Sequence, residues 1–164
     1  MSVMSAIDMA CWDIVGKHAN LPVWQLLGGA CRDRVRLYGR LSFSGTAKDN
    51  ADLATKQGYT AIKFGFTPPK DGKIDEASVI EACVEQVRQM RKAVGPQVGL
   101  CLDTHAMLSL QSMVKLLAAL APFDLMFVEE PVPPEDWEGL RYLRTHTASP
   151  LASGERLLNK YDFR

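Results

Sequence analysis

Three carboxylic acids recur at one fixed interval: Asp103 in LCLDTHA, Glu129 in MFVEEP and Glu155 in ASGERL. The steps from 103 to 129 and from 129 to 155 are both 26 residues. Each acid closes a short apolar run: VGLCLD (98–103), LMFVEE (125–130) and PLASGE (150–155). Helical patterns separate the runs. Met113, Leu116, Leu117 and Leu120 form one stripe that Pro122 stops, and Pro133-Pro134-Glu135-Asp136 starts another through Trp137, Leu140 and Leu143. A strand, a helix and two short loops together take roughly 30 residues. The interval therefore predicts successive β/α units, with all three acids on the same rim of a parallel sheet.

Upstream segments continue the alternation. VRLYG (35–39) and TAIKFG (60–65) read as strands, and residues 46–58 read as a helix closed by Gly58. A longer helix is expected over 75–94. Asp75 and Glu76 open it, Arg88, Arg91 and Lys92 lie near its end, and Gly95-Pro96 terminates it, a charge order that suits the helix dipole. The first 30 residues differ: a helix over 5–18 with Ile7, Cys11 and Ile14 on one stripe, then a short turn from Pro22 to Leu27 before Gly28-Gly29.

Composition narrows the function. The 164 residues suffice for one ordinary domain with a real core. Nineteen acidic residues balance nineteen basic ones, which argues against nucleic acid as a partner. No stretch approaches the roughly 18 uninterrupted apolar residues of a membrane span. The N-terminus lacks the pattern of a signal peptide, so a cytoplasmic setting is expected. Cys11, Cys31, Cys83 and Cys101 show no C-x-x-C spacing and read as reduced thiols, three of them in apolar segments that place them in a core.

Neighbouring strands lie about 4.8 Å apart, so Asp103, Glu129 and Glu155 can converge on one point. Three like charges held that close require something positive among them. Oxygen-only ligation is the preference of a hard dication, and few ligands with room for water and substrate favour Mg²⁺ over Ca²⁺. The plainer alternative is that these acids cap helices or face solvent. Strand parity puts His105 on the face of Asp103 and turns Lys63 inward, away from Ile62 and Phe64. Lys63 can serve as a counter-ion or as a catalytic or substrate-binding group. Arg156 can meet a substrate carboxylate or cap a helix, and Glu130 faces away from Glu129 as a structural acid.

SAIDMACWDIVGKHANLPVWQLLGG, followed in order by AIKFG, LDTHA, FVEEP and SGERL, resembles the mandelate racemase/muconate lactonizing enzyme family of the enolase superfamily. The resemblance implies an α/β fold: residues 1–30 as the helical end of a capping domain, and 31–164 as the first half, about strands 1–5, of a (β/α)8 TIM-type barrel. It implies Asp103, Glu129 and Glu155 as Mg²⁺ ligands. Family chemistry is abstraction of the proton α to a carboxylate, and a Lys or His base working with Mg²⁺ is the superfamily's known pattern. Racemases and cycloisomerases there usually carry Lys-x-Lys on the second strand, whereas Gly65 stands at the second position here. Asp-x-His on the third strand is similar to sugar-acid dehydratases of the galactonate type, in which this His, here His105, protonates the departing hydroxide.

The implied activity is a carbon–oxygen hydro-lyase taking a small sugar acid in a protein that is a homo-oligomer when full length. A whole barrel needs about 250 residues, so strands six to eight and the family's His–Asp base are expected outside these 164 residues, which alone should be inactive. The competing readings are a racemase, epimerase or cycloisomerase using Lys63, a receiver-like signalling domain, and a non-catalytic fragment.

Overall fold

The structure is a computed structural model that describes residues 2–40, 46–66 and 75–163. Its elements run α1 (Ser2–Ala19), α2 (Val23–Leu26), β1 (Gly39–Arg40), α3 (Ala47–Lys56), β2 (Ala61–Gly65), α4 (Glu76–Val94), β3 (Gly99–Asp103), α5 (Leu110–Leu120), β4 (Phe127–Glu129), α6 (Trp137–His146) and β5 (Leu151–Ala152). The five strands form one sheet in the order β1-β2-β3-β4-β5, every neighbouring pair parallel. This is an α/β fold of sequential β/α units. Contacts divide the chain into two compact units, Leu37–Glu155, and Met1–Arg36 with Arg156–Arg164.

In the larger unit, period two separates the two faces of the sheet. Ile62, Phe64, Leu100, Leu102 and Val128 take one face and pack with Val87 of α4, Met113, Leu116, Leu117 and Leu120 of α5, and Leu143 of α6. Leu100, Leu102 and Val128 are completely buried, each contributing roughly 1.5–3 kcal/mol by leaving water. The helix starts are fixed by side chains that accept from otherwise orphaned N–H groups: Asp75 from Ser78, Ser109 from Ser112 and Asp136 from Gly139. After α5 the chain tightens into a 3₁₀ turn, Ala121–Phe123, around Pro122, which has no N–H to continue the helix. Arg91 ties the sheet's lower edge together. Its guanidinium donates to the carbonyls of Gly95 (3.0 Å) and Val98 (2.7 Å) before β3, and of Phe123 (3.0 and 3.1 Å) and Asp124 (3.0 Å) before β4.

Several expectations need correction. The first strand is not 35–39: among the described residues it comprises Gly39 and Arg40, and residues 41–45 lie outside those described. Val35 and Leu37 are exposed, so their alternation with arginines reflects extended chain without a partner ladder. The stripe of Ile7 and Ile14 on α1 is likewise exposed, and so are Cys11 and Cys31; only Cys83 and Cys101 are core thiols. The reason is that the apolar residues of α1 are spread over several sides, with Val3, Met4, Met9 and Val15 exposed too, while its unit offers the short α2 to pack on. A stripe becomes core only where another element covers it.

Candidate metal centre

The sheet's second face carries the chemistry. Residues paired in parallel register share a face, so Arg40, Lys63, Cys101 and Phe127 lie in one row. Gly65, Asp103, Glu129 and Ala152 form the next row toward the C-terminal ends of the strands. Asp103 and Glu129 are direct register partners and each ends its strand. Glu155 arrives differently. It lies three residues past the end of β5, yet single carboxylate oxygens of Asp103, Glu129 and Glu155 all lie within 4.8 Å of one another. Asp103 is buried, Glu129 half-buried and Glu155 exposed.

Lys63 fills the space between the first two acids. Its Nζ lies 3.0 Å from Asp103 Oδ2 and 2.5 Å from Glu129 Oε1. Burial alone would draw the ammonium's pKa down, but hydrogen bonds and charge from Glu129 and Asp103 outweigh it, and the pKa is raised above the ordinary lysine value. Three carboxylates and one ammonium leave a formal deficit of two positive charges. An all-oxygen donor set with that deficit could hold a hard divalent cation.

His105 reaches the same place by a route that strand parity does not describe. β3 ends at Asp103, and His105 and Ala106 take left-handed conformations, φ +49° and +54°. The turn is held by the His105 N–H donating to Asp103 Oδ1 (3.1 Å) and the Ala106 N–H donating to the Glu130 carbonyl (2.8 Å). It brings His105 Nε2 to 3.5 Å from Asp103 Oδ2 while half of the imidazole side chain stays open to solvent. A cavity of about 260 Å³ opens here, lined by Tyr38, Arg40, Lys63, Asp103, His105 and Glu155 among others. That is slightly below the roughly 300–1,000 Å³ of common small-molecule sites. A hollow of about 330 Å³ between α6 and β5 is lined by no carboxylate, histidine or cysteine and carries no comparable chemistry.

Residues 46–164 match the enolase C-terminal domain-like family, and residues 1–28 match the mandelate racemase/muconate lactonizing enzyme N-terminal domain. The chain belongs to the mandelate racemase/muconate lactonizing enzyme family. It is 37% identical, over its whole length, to 43% of a D-galactonate dehydratase from Klebsiella pneumoniae. An enolase from Pantoea ananatis with bound D-gluconate and Mg superposes with a TM-score of 0.78 at 29% identity, over 96% of this chain and 46% of that one. A mandelate racemase/muconate lactonizing enzyme-like protein from Rubrobacter xylanophilus gives a TM-score of 0.77 at 32% identity, over 93% of this chain and 45% of that one. The chain thus spans less than half the length of these relatives.

On this family's rim, two lining residues escaped the sequence reading, Tyr38 and Arg40. Tyr38 stands edge-on to Phe127, ring centroids 6.0 Å apart. Arg40 is the register partner of Lys63. Extending the first strand by one residue, to Arg40, and applying the same parity used for Lys63 would have found both.

Proposed function

We propose that this chain forms the metal-binding half of a Mg²⁺-dependent sugar-acid dehydratase, a lyase that removes the proton α to a carboxylate and expels the β-hydroxyl. The observation that carries the reading is the convergence of Asp103, Glu129 and Glu155 beside the imidazole of His105. In this reading the three acids hold Mg²⁺. The cation supplies a Lewis acid where negative charge develops on the substrate carboxylate. His105 donates a proton to the departing hydroxide, a task suited to an imidazole that stands half-exposed beside Asp103. Lys63 balances Asp103 and Glu129 and keeps them aligned on the rim. Similarity to a D-galactonate dehydratase, and to a structure holding D-gluconate and Mg, supports an aldonic acid as substrate. A Lys63-based racemase is disfavoured because Gly65 stands where such enzymes usually carry the second Lys of Lys-x-Lys.

The test is a chimera in which this chain replaces the matching segment of the D-galactonate dehydratase. Parent and His105→Asn chimeras are assayed for 2-keto-3-deoxy acid formation and for α-proton exchange in deuterated water. Dehydration should fall about 10²–10⁴-fold while exchange stays detectable. Equal loss of both reactions would remove His105 from the leaving-group role.

A further inference from the structure

Glu155 ought not to reach the rim as easily as it does. Glu129 pairs in register with Ala152, and three further residues of extended chain would carry residue 155 about 10 Å beyond that level. Its carboxylate instead lies within 4.8 Å of those of Asp103 and Glu129. The chain leaves strand geometry after Ala152 and turns at Glu155-Arg156, and Gly154 between them has φ +132°, a conformation that a side chain would strain.

What holds this exit is Glu130. It is 1% exposed, and its Oε1 accepts from Ser153 Oγ (2.9 Å) and from the Gly154 N–H (3.0 Å). Its own N–H donates to the Ala152 carbonyl (2.9 Å), so main chain and side chain grip the exit of β5 together. On the other side its carbonyl oxygen accepts from the Ala106 N–H (2.8 Å) and Thr104 Oγ1 (2.9 Å), inside the turn that carries His105. Glu130 itself sits at φ +45°, and its side chain reaches the β5 exit at Ser153 and Gly154.

We infer that Glu130 is a positioning residue: its buried carboxylate fixes the β5 exit so that Glu155 can join Asp103 and Glu129 at the metal. The inference rests on the metal site proposed above, and its test separates the two. Glu130→Gln keeps an acceptor oxygen of the same reach, whereas Glu130→Leu keeps the bulk and strands both donors. Two quantities are read in the 164-residue chain: Mn²⁺ affinity by water-proton relaxation, well below each variant's melting temperature, and hydrogen exchange of the Gly154 amide by NMR. Outer partners of metal ligands typically contribute 10–100-fold in affinity. Glu130→Leu should therefore weaken Mn²⁺ by about that factor, toward the level of Glu155→Gln, and deprotect Gly154, while Glu130→Gln stays within about threefold of wild type.

A merely structural Glu130 would lower the melting temperature and leave the affinity of the folded chain untouched, which overturns the inference. So does a Glu130→Gln variant that binds as poorly as Glu130→Leu. If the wild-type chain binds no Mn²⁺, the metal reading fails by itself. Gly154 exchange then decides the hold: faster exchange in Glu130→Leu sustains it and unchanged exchange ends it. Should Glu130→Leu not fold, Ser153→Ala takes its place, with weaker Mn²⁺ binding at unchanged melting temperature expected and unchanged binding the refutation.

Discussion

Lys63 offers the sharpest perturbation, because one substitution changes the charge of the rim without touching a carboxylate. In Lys63→Met the ammonium that lies 3.0 Å from Asp103 and 2.5 Å from Glu129 is lost. The three side chains are 16%, 6% and 13% exposed, so water can replace little of what is removed. At an effective dielectric near 20, each contact corresponds to about 5–7 kcal/mol of Coulomb attraction. Desolvating the ammonium offsets much of that sum. The net loss on removing one member of a buried ion pair is about 3–5 kcal/mol, part of it from leaving two carboxylates facing each other. For a unit of this size the melting temperature should fall by roughly 10–20 °C in metal-free buffer. A dication would replace the missing charge. Saturation at one hundred times the dissociation constant stabilises by about 2.7 kcal/mol, and without a competing ammonium the variant should bind more tightly than wild type. Thermal unfolding followed by circular dichroism, with chelator and then with excess MgCl₂, measures both effects. The reasoning is refuted if metal-free Lys63→Met melts within about 2 °C of wild type, or if Mg²⁺ raises both melting temperatures equally.

Two further outcomes follow from groups away from the rim. Glu76, in the first turn of α4, accepts from Ser112 Oγ and from the N–H (3.0 Å) and Oγ (2.8 Å) of Ser109, and these bonds lower its pKa. A lowered carboxyl pKa stabilises the fold above the unfolded-state value and ceases to do so as pH falls through the folded-state value. Wild type should accordingly exceed Glu76→Gln in urea midpoint at pH 7, and the gap should close in acid; a gap that is constant with pH would exclude the carboxylate as its source. Among the thiols, burial pushes Cys83 up to about 12 and Cys101 is fully buried, whereas Cys11 and Cys31 are exposed. A chromogenic disulfide reagent should titrate two thiols quickly in the native chain and the remaining two only in denaturant, and four fast thiols would show the core to be open.

The frame of the sheet was legible because strand ends, caps and breakers are local signals. Equal spacing of three acids needed only the length of a β/α unit, and Asp75 and Asp136 mark helix starts by residue type alone. What escaped depends on backbone that leaves regular structure. Parity assumes that a strand continues. It ends at Asp103, so His105 reaches Asp103 through left-handed residues. Glu155 was read as a strand end although β5 stops at Ala152, and the exit between them rests on Glu130, a residue whose neighbours lie 23 and 24 positions away. The exposed stripe of α1 illustrates the converse limit, since periodicity shows which side of a helix is apolar and not whether anything lies against it.

The register pairing of Asp103 with Glu129 has a consequence for how this chain tolerates insertions and deletions. Their proximity is fixed across one hydrogen-bonded ladder, whereas α5 and the 3₁₀ turn only return the chain to the start of β4. Length changes on the return path are absorbed gradually, by a looser turn or a longer helix end. A single-residue deletion inside β3 is absorbed in one discrete step. It would turn the acid into the layer now filled by Leu100 and Leu102 and present an apolar side chain to the rim. One half of each β/α unit thus behaves as an elastic tether and the other as a two-position switch.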